Sequence, residues 1–221
     1  THERSSAASD VYKRQASTTE AQEKVALQVA EQISDYLKTG AITNAVNTFS
    51  LTASEYNTVQ PYLKLSEQLG GFAGQLTENA IKKITVEFEG VISKINTQPL
   101  IQTIICFLLK KNFDGVNIIN SVSVAKTKSI QITTIKHENA GEYQSSVTLT
   151  IETEKQTRSV SGTLFGGKPR IVNVKGIKIE AELSKYNLYI SNEDKPGFIS
   201  NLSKILSDNK INIATFNLGR K

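Results

Sequence analysis

Two groups of residues in this sequence could do chemistry: a histidine in the body of the chain and a run of cations towards its C-terminal third. A nucleophile with a general base needs a His, Lys or carboxylate placed by its surroundings. His137 is followed directly by Glu138 at the end of a predicted strand. Successive side chains on a strand point to opposite faces, so the two make no dyad. Cys106 lies beside the apolar face of a predicted helix with no His or cationic neighbour in sequence, and reads as an inert packing residue. No metal-ligand spacing, Walker motif, dinucleotide fingerprint or nucleophile elbow occurs. No catalytic residue is assigned, and taken alone the chain does not read as catalytic.

The cations carry more information. Lys155, Arg158, Lys168, Arg170, Lys175 and Lys178 occur with no Asp or Glu between Glu154 and Glu180. On adjacent hairpins they could converge into a site for phosphate or carboxylate. The competing reading is a solvated basic face. Nucleic acid fits poorly, because only Phe165 and Tyr143 could offer stacking near the cluster.

The elements that must position these residues follow from periodicity. Ser17-Thr18-Thr19-Glu20 reads as a capping box with Ser17 as the cap. It opens a helix whose apolar stripe is Val25, Val29, Ile33, Tyr36 and Leu37, stopped at Gly40. That stripe needs a partner. Residues 41–54 read as a linker. A second helix is expected from Pro61 to about Ala80, burying Leu65, Leu69, Phe72 and Leu76. Gly70, Gly71 and Gly74 fall within it rather than between a strand and a helix start, which favours close packing over phosphate binding.

Further along, 84–88 alternates as a strand and 98–113 reads as a helix with Leu100, Ile101, Ile104, Ile105, Leu108 and Leu109 on its core face. Another helix is expected from Val116, ending near Lys126-Thr127-Lys128. Strands follow at 130–136, 143–152, 159–164, 171–174 and 177–181, with a hairpin turn at Asn139-Ala140-Gly141 and another at Lys175-Gly176. The fold class is therefore α+β: two or three helices on one face of a mainly antiparallel sheet. Tyr186 to Leu218 then reads strand, polar turn, helix, strand, with Asn187–Ser191 and Ile211–Leu218 as the strands and Pro196 opening the helix.

Composition sets the outer bounds. The 221 residues suffice for one or two domains. A formal net charge of +5 permits an anionic ligand without demanding nucleic acid. The single cysteine excludes an internal disulfide framework. No apolar run reaches the roughly 20 residues that cross a bilayer, so no membrane role is expected and the sequence fits a cytoplasmic protein. Residues 1–15, THERSSAASDVYKRQ, carry no periodicity and read as a disordered or foreign leader, His2 with them.

Several stretches resemble the long form of D-3-phosphoglycerate dehydrogenases. ASTTEAQEKVALQVAEQISDYLKTGAITNAVN resembles the segment that closes the nucleotide-binding domain. YLKLSEQLGGFAGQL, NIINSVSVAK and SVSGTLFGGKPRIVNVKGIKIE resemble the intervening domain. The stretch with DKPG and INIA resembles the start of an ACT domain, a ferredoxin-like βαβ unit. The implied division is 1–15 leader, 16–54 end of the nucleotide-binding domain plus linker, 55–183 intervening domain and 184–221 partial ACT domain.

The resemblance implies an enzyme that oxidises 3-phospho-D-glycerate to 3-phosphooxypyruvate with NAD, the first step of serine synthesis. It places the catalytic histidine, its glutamate, the substrate arginine and the NAD loop before Ala16, and the rest of the ACT domain beyond Lys221. The present residues would then serve regulation and a homo-oligomer, dimer or tetramer. For serine as effector, the matching positions are Asn192, Asp194 and Asn212; Asn192 departs from the His or Tyr of better-known members. Arg170 and Lys178 match an anion site, where Glu182 replaces an expected basic residue. The alternative function is a free-standing amino-acid-binding module without catalysis.

Overall fold

The computed structural model describes residues 18–40, 42–45, 50–193 and 195–220. Two compact units divide at Val59/Gln60.

The first unit contains α1 (Thr19–Thr39). Its N-cap is Thr18, whose hydroxyl accepts from the Ala21 N–H at 3.2 Å, while Glu20 pairs forward with Lys24 at 3.1 Å. The expected cap, Ser17, lies outside the described residues. Gly40 ends the helix at φ 74° and donates its N–H to the Tyr36 carbonyl. A Cβ on Gly40 would also meet the Tyr56 ring at 2.7 Å. None of the apolar stripe is buried. Ile42 and Leu51 form an isolated antiparallel bridge.

α2 (Ala53–Leu76) runs across the unit boundary. It starts eight residues before the expected Pro61, because Thr52 and Glu55 form a capping box. The Thr52 N–H donates to the Glu55 carboxylate at 2.9 Å, and the Glu55 N–H donates back to the Thr52 hydroxyl at 3.3 Å. Pro61 sits inside the helix, where its missing N–H leaves one i→i−4 hydrogen bond unmade.

The second unit is built on a six-stranded sheet. Its strands are β1 (Ile81–Gly90), β2 (Gln131–His137), β3 (Ser145–Thr153), β4 (Thr157–Phe165), β5 (Lys168–Val174) and β6 (Ile177–Ala181), in the order β2-β1-β3-β4-β5-β6. Every pairing is antiparallel except β1 with β2. The parallel pair is joined by a crossover through a short 3-10 turn (Val91–Lys94), α3 (Gln98–Leu109) and α4 (Ser121–Thr127). The expected hairpin at Asn139-Ala140-Gly141 does not form, because β1 lies between β2 and β3. α4 starts later than expected. Asn117 and Asn120 exchange side-chain-to-backbone hydrogen bonds at 2.8 and 3.0 Å, holding a turn ahead of it.

One face of the sheet is the core. Ile84, Val86 and Phe88 align with Ile151, Leu149 and Val147, and all are buried. Leu65 and Leu69 of α2 press on Gly162 of β4, where a Cβ would meet Leu65 Cδ1 at 2.7 Å. Gly70 and Gly74, one helical turn apart, lie against α3; a Cβ on each would fall 2.4 Å from the Ile104 carbonyl oxygen and 2.7 Å from that of Leu108. The two helices thus lie side by side over one face. Each fully buried Leu or Ile here contributes about 1.5–3 kcal/mol.

Beyond the sheet, α5 (Phe198–Asp208) is the one element that forms among the described residues. Among them the expected strands at 187–191 and 211–218 pair with no ladder. A strand is defined by its partner, and alternation in sequence supplies none. The Tyr189 ring instead packs edge-on against Phe72 at 5.6 Å, and Gly219 lies beside β6, within 2.8 Å of the Lys178 carbonyl were it to carry a Cβ.

Candidate functional site

The face of the sheet opposite the helices is polar. Register places Glu89, Ser146, Thr163 and Arg170 in one row across β1, β3, β4 and β5. A second row holds Glu87, Thr148, Ser161, Asn173 and Lys178. Hydroxyls bridge the strands: Ser146 donates to the Glu89 carboxylate at 3.0 Å, and the Thr148 and Ser161 hydroxyls bond at 2.8 Å.

Arg170 and Lys178, both expected as anion ligands, share this face but each already holds a carboxylate. Arg170 Nη1 lies 2.7 Å from Glu182 Oε2, and Lys178 Nζ lies 2.8 Å from Glu142 Oε2. Glu142, through its hydrogen bond and its charge, holds the Lys178 amine above the ordinary lysine range. Arg170 Nε is buried and has no hydrogen-bond partner among the described residues. Glu182 is expected at this site from the resemblance; Glu142 is not, because it sits 36 residues from Lys178 and only the fold joins them.

Lys168, opposite Phe165, shares the open face with Arg170, whereas Arg158 does not. Arg158 falls on the helix-covered face, opposite Ile151. Lys175 stands in the β5–β6 turn at φ 54° with its ammonium 5.7 Å from the Tyr189 ring centroid. Burial, then the Arg158 charge, depresses its pKa, with Glu78 opposing. At the other side of the open face, Glu87, Glu89, His137, Glu138 and Asn139 line a groove of about 540 Å³. His137 Nε2 lies 3.8 Å from Glu87 Oε2, a cross-strand neighbour rather than the adjacent Glu138. Among the described residues no group of three or more His, Cys, Asp or Glu could hold a metal ion. Burial raises the Cys106 thiol, and Lys110 pulls the other way without reversing it. No helix among the described residues is long and apolar enough to cross a membrane.

Two of the three expected effector residues are among the described residues. Asn192 is exposed and donates its amide to the neighbouring Glu193 carbonyl at 2.7 Å. Asn212 is exposed in the segment after α5. Asp194 lies outside the described residues. Nor do the glycines of α2 form a dinucleotide cradle, since Gly70 and Gly74 are filled by α3 backbone. These two glycines therefore do not fit a pyrophosphate of NAD.

A family model for the D-3-phosphoglycerate dehydrogenase intervening domain matches residues 58–175, more than half of the chain. The chain belongs to this family. The matched residues run from α2 to the end of β5, the helices and sheet just described. D-3-phosphoglycerate dehydrogenase of Bacillus subtilis is 30% identical over 210 residues, covering 93% of this chain and 40% of that protein. Its counterpart from Synechocystis is 35% identical over 209 residues, covering 93% and 38%. That from Archaeoglobus fulgidus is 29% identical, covering 93% and 39%. The chain thus spans about two fifths of the length of these D-3-phosphoglycerate dehydrogenases.

Proposed function

We propose that this chain is the regulatory and oligomer-forming part of an NAD-dependent D-3-phosphoglycerate dehydrogenase. The observation that carries the reading is the intervening-domain match over 58–175 together with the coverage of about two fifths of each relative. In such an enzyme 3-phospho-D-glycerate is oxidised to 3-phosphooxypyruvate as hydride passes to NAD, in the cytoplasm, at the start of serine synthesis. The family pattern puts the residues for that chemistry in a region other than this one. The α2 glycines, packed on α3, support the same division of labour.

Within this reading Arg170 and Lys178 serve a phosphate-type anion, and Asn192, Asp194 and Asn212 serve L-serine. A homo-oligomer forms through the ACT portion and the intervening domain, and the exposed apolar residues Tyr186, Leu188, Ile190, Ile205 and Phe216 support the ACT part of that reading. Calorimetric titration of the chain with L-serine tests the regulatory part. Saturable heat is expected, reduced in Asp194→Ala and Asn212→Ala. A parent chain that gives no heat, or variants that match it, would overturn the effector assignment.

A further inference from the structure

The connection between β2 and β3, residues 138–144, crosses the open face of the sheet. Towards β1, Gly141 comes so close to Glu89 that a Cβ would stand 2.5 Å from its Oε1. The next residue, Glu142, reaches β6, where both its oxygens accept from Lys178 Nζ at 2.9 and 2.8 Å. Register fixes the second cation on the same face: Ser161 aligns with Asn173 and Asn173 with Lys178, while Thr163, two residues on, aligns with Arg170. Arg170 Nη1 lies 2.7 Å from Glu182, and its buried Nε has no hydrogen-bond partner among the described residues. A guanidinium fork suits two oxygens of one anion, and Nε is not engaged by Glu182.

We propose that Glu142 and Glu182 are internal occupants of an anion site formed by Arg170 and Lys178, so that a phosphate-type anion binds by displacing them and frees the 138–144 connection from β6. This rests on reading Arg170 and Lys178 as an anion site. The Lys178–Glu142 pair is open to solvent, its side chains 74% and 60% exposed, and pairs of that kind are weak; the Arg170–Glu182 pair is more sheltered, at 27% and 52%. A dianion that engages the Arg170 fork and the Lys178 ammonium together replaces two separate single-charge contacts. Glu142 is the more consequential of the two, because its carboxylate is also the tether of a loop.

The test is titration of the full chain with inorganic phosphate, with hydrogen exchange read at the 140–144 amides. Glu142→Gln and Glu182→Gln should each bind phosphate about three- to fivefold more tightly, the scale of losing one screened carboxylate. Arg170→Gln should bind it more weakly. Phosphate should speed exchange at 140–144 in the parent and change it little in Glu142→Gln, where the tether is already gone. If Arg170→Gln leaves phosphate binding unchanged, or no form of the chain binds phosphate, the anion site itself fails. Weaker binding by Arg170→Gln, with no gain in either glutamine variant, keeps the site and overturns the internal occupants. Exchange in the parent that ignores phosphate overturns release of the connection.

Discussion

Arg170 Nη1 and Glu182 Oε2 stand 2.7 Å apart, on β5 and just past the end of β6, at the close of a run of sequence that is otherwise basic. The pair neutralises the Arg170 cation on the sheet face of the proposed anion site. Glu182→Gln should therefore move two quantities in opposite directions. Stability should fall by about 0.5–1 kcal/mol, since Glu182 is half exposed though Arg170 is more sheltered, and this is read from the urea midpoint. Phosphate affinity should rise. A variant that loses both would mean Glu182 is needed to shape the site rather than to fill it.

The α2–α3 contact predicts a sharp contrast among three neighbouring glycines. Gly70→Ala and Gly74→Ala put a methyl against backbone carbonyls at 2.4 and 2.7 Å, and each should cost about 1–3 kcal/mol by overpacking. Gly71 has open space around its would-be Cβ, so Gly71→Ala should stabilise by about 0.5–1 kcal/mol through helix propensity alone. Thermal or urea unfolding of the three single variants decides the matter.

The α2 capping box gives a pH signature. Hydrogen bonds from the Thr52 N–H and then the Thr52 hydroxyl depress the Glu55 pKa below its ordinary value of 4.5. The folded state therefore favours ionised Glu55. Its contribution is fully present above about pH 4.5 and is lost as pH falls through the lower folded value. Denaturant unfolding of the parent should weaken faster with acidification in that window than unfolding of Glu55→Gln. Parallel acid profiles would show that the cap does not discriminate between the protonation states.

Lys175 in the β5–β6 turn and Lys178 just after it on β6 should differ in reactivity. Burial and the Arg158 charge lower the Lys175 pKa, whereas Glu142 raises that of Lys178. Only the free amine is a nucleophile. In limited acetylation at mildly alkaline pH, Lys175 should label before Lys178, and Arg158→Gln should slow the Lys175 reaction. Equal labelling would contradict the assigned surroundings.

What the sequence made legible was mostly local. The 3.6-residue stripe of α1, the Gly40 stop and the α3 core face all follow from spacing, and the strands of the sheet from alternation. Gly70 and Gly74 could be read as packing residues because they fall mid-helix. The misses have local and non-local causes. Thr52 with Glu55, and Asn117 with Asn120, are short capping and turn signals that outweighed Pro61 and an apolar Val116 as helix starts. Sheet order is non-local, so the 139–141 segment resembled a hairpin while β1 in fact separates its flanking strands. The partners of His137 and Lys178, Glu87 and Glu142, followed from that order and were hidden with it. The segments flanking α5 alternate like strands, but no neighbouring ladder receives them.

The central claim, that these residues regulate and assemble a D-3-phosphoglycerate dehydrogenase without carrying its chemistry, is most directly tested by NADH fluorescence on the purified chain given NAD and 3-phosphoglycerate. The account predicts a signal no different from that of the heat-denatured chain. Sustained, enzyme-dependent NADH production would contradict it.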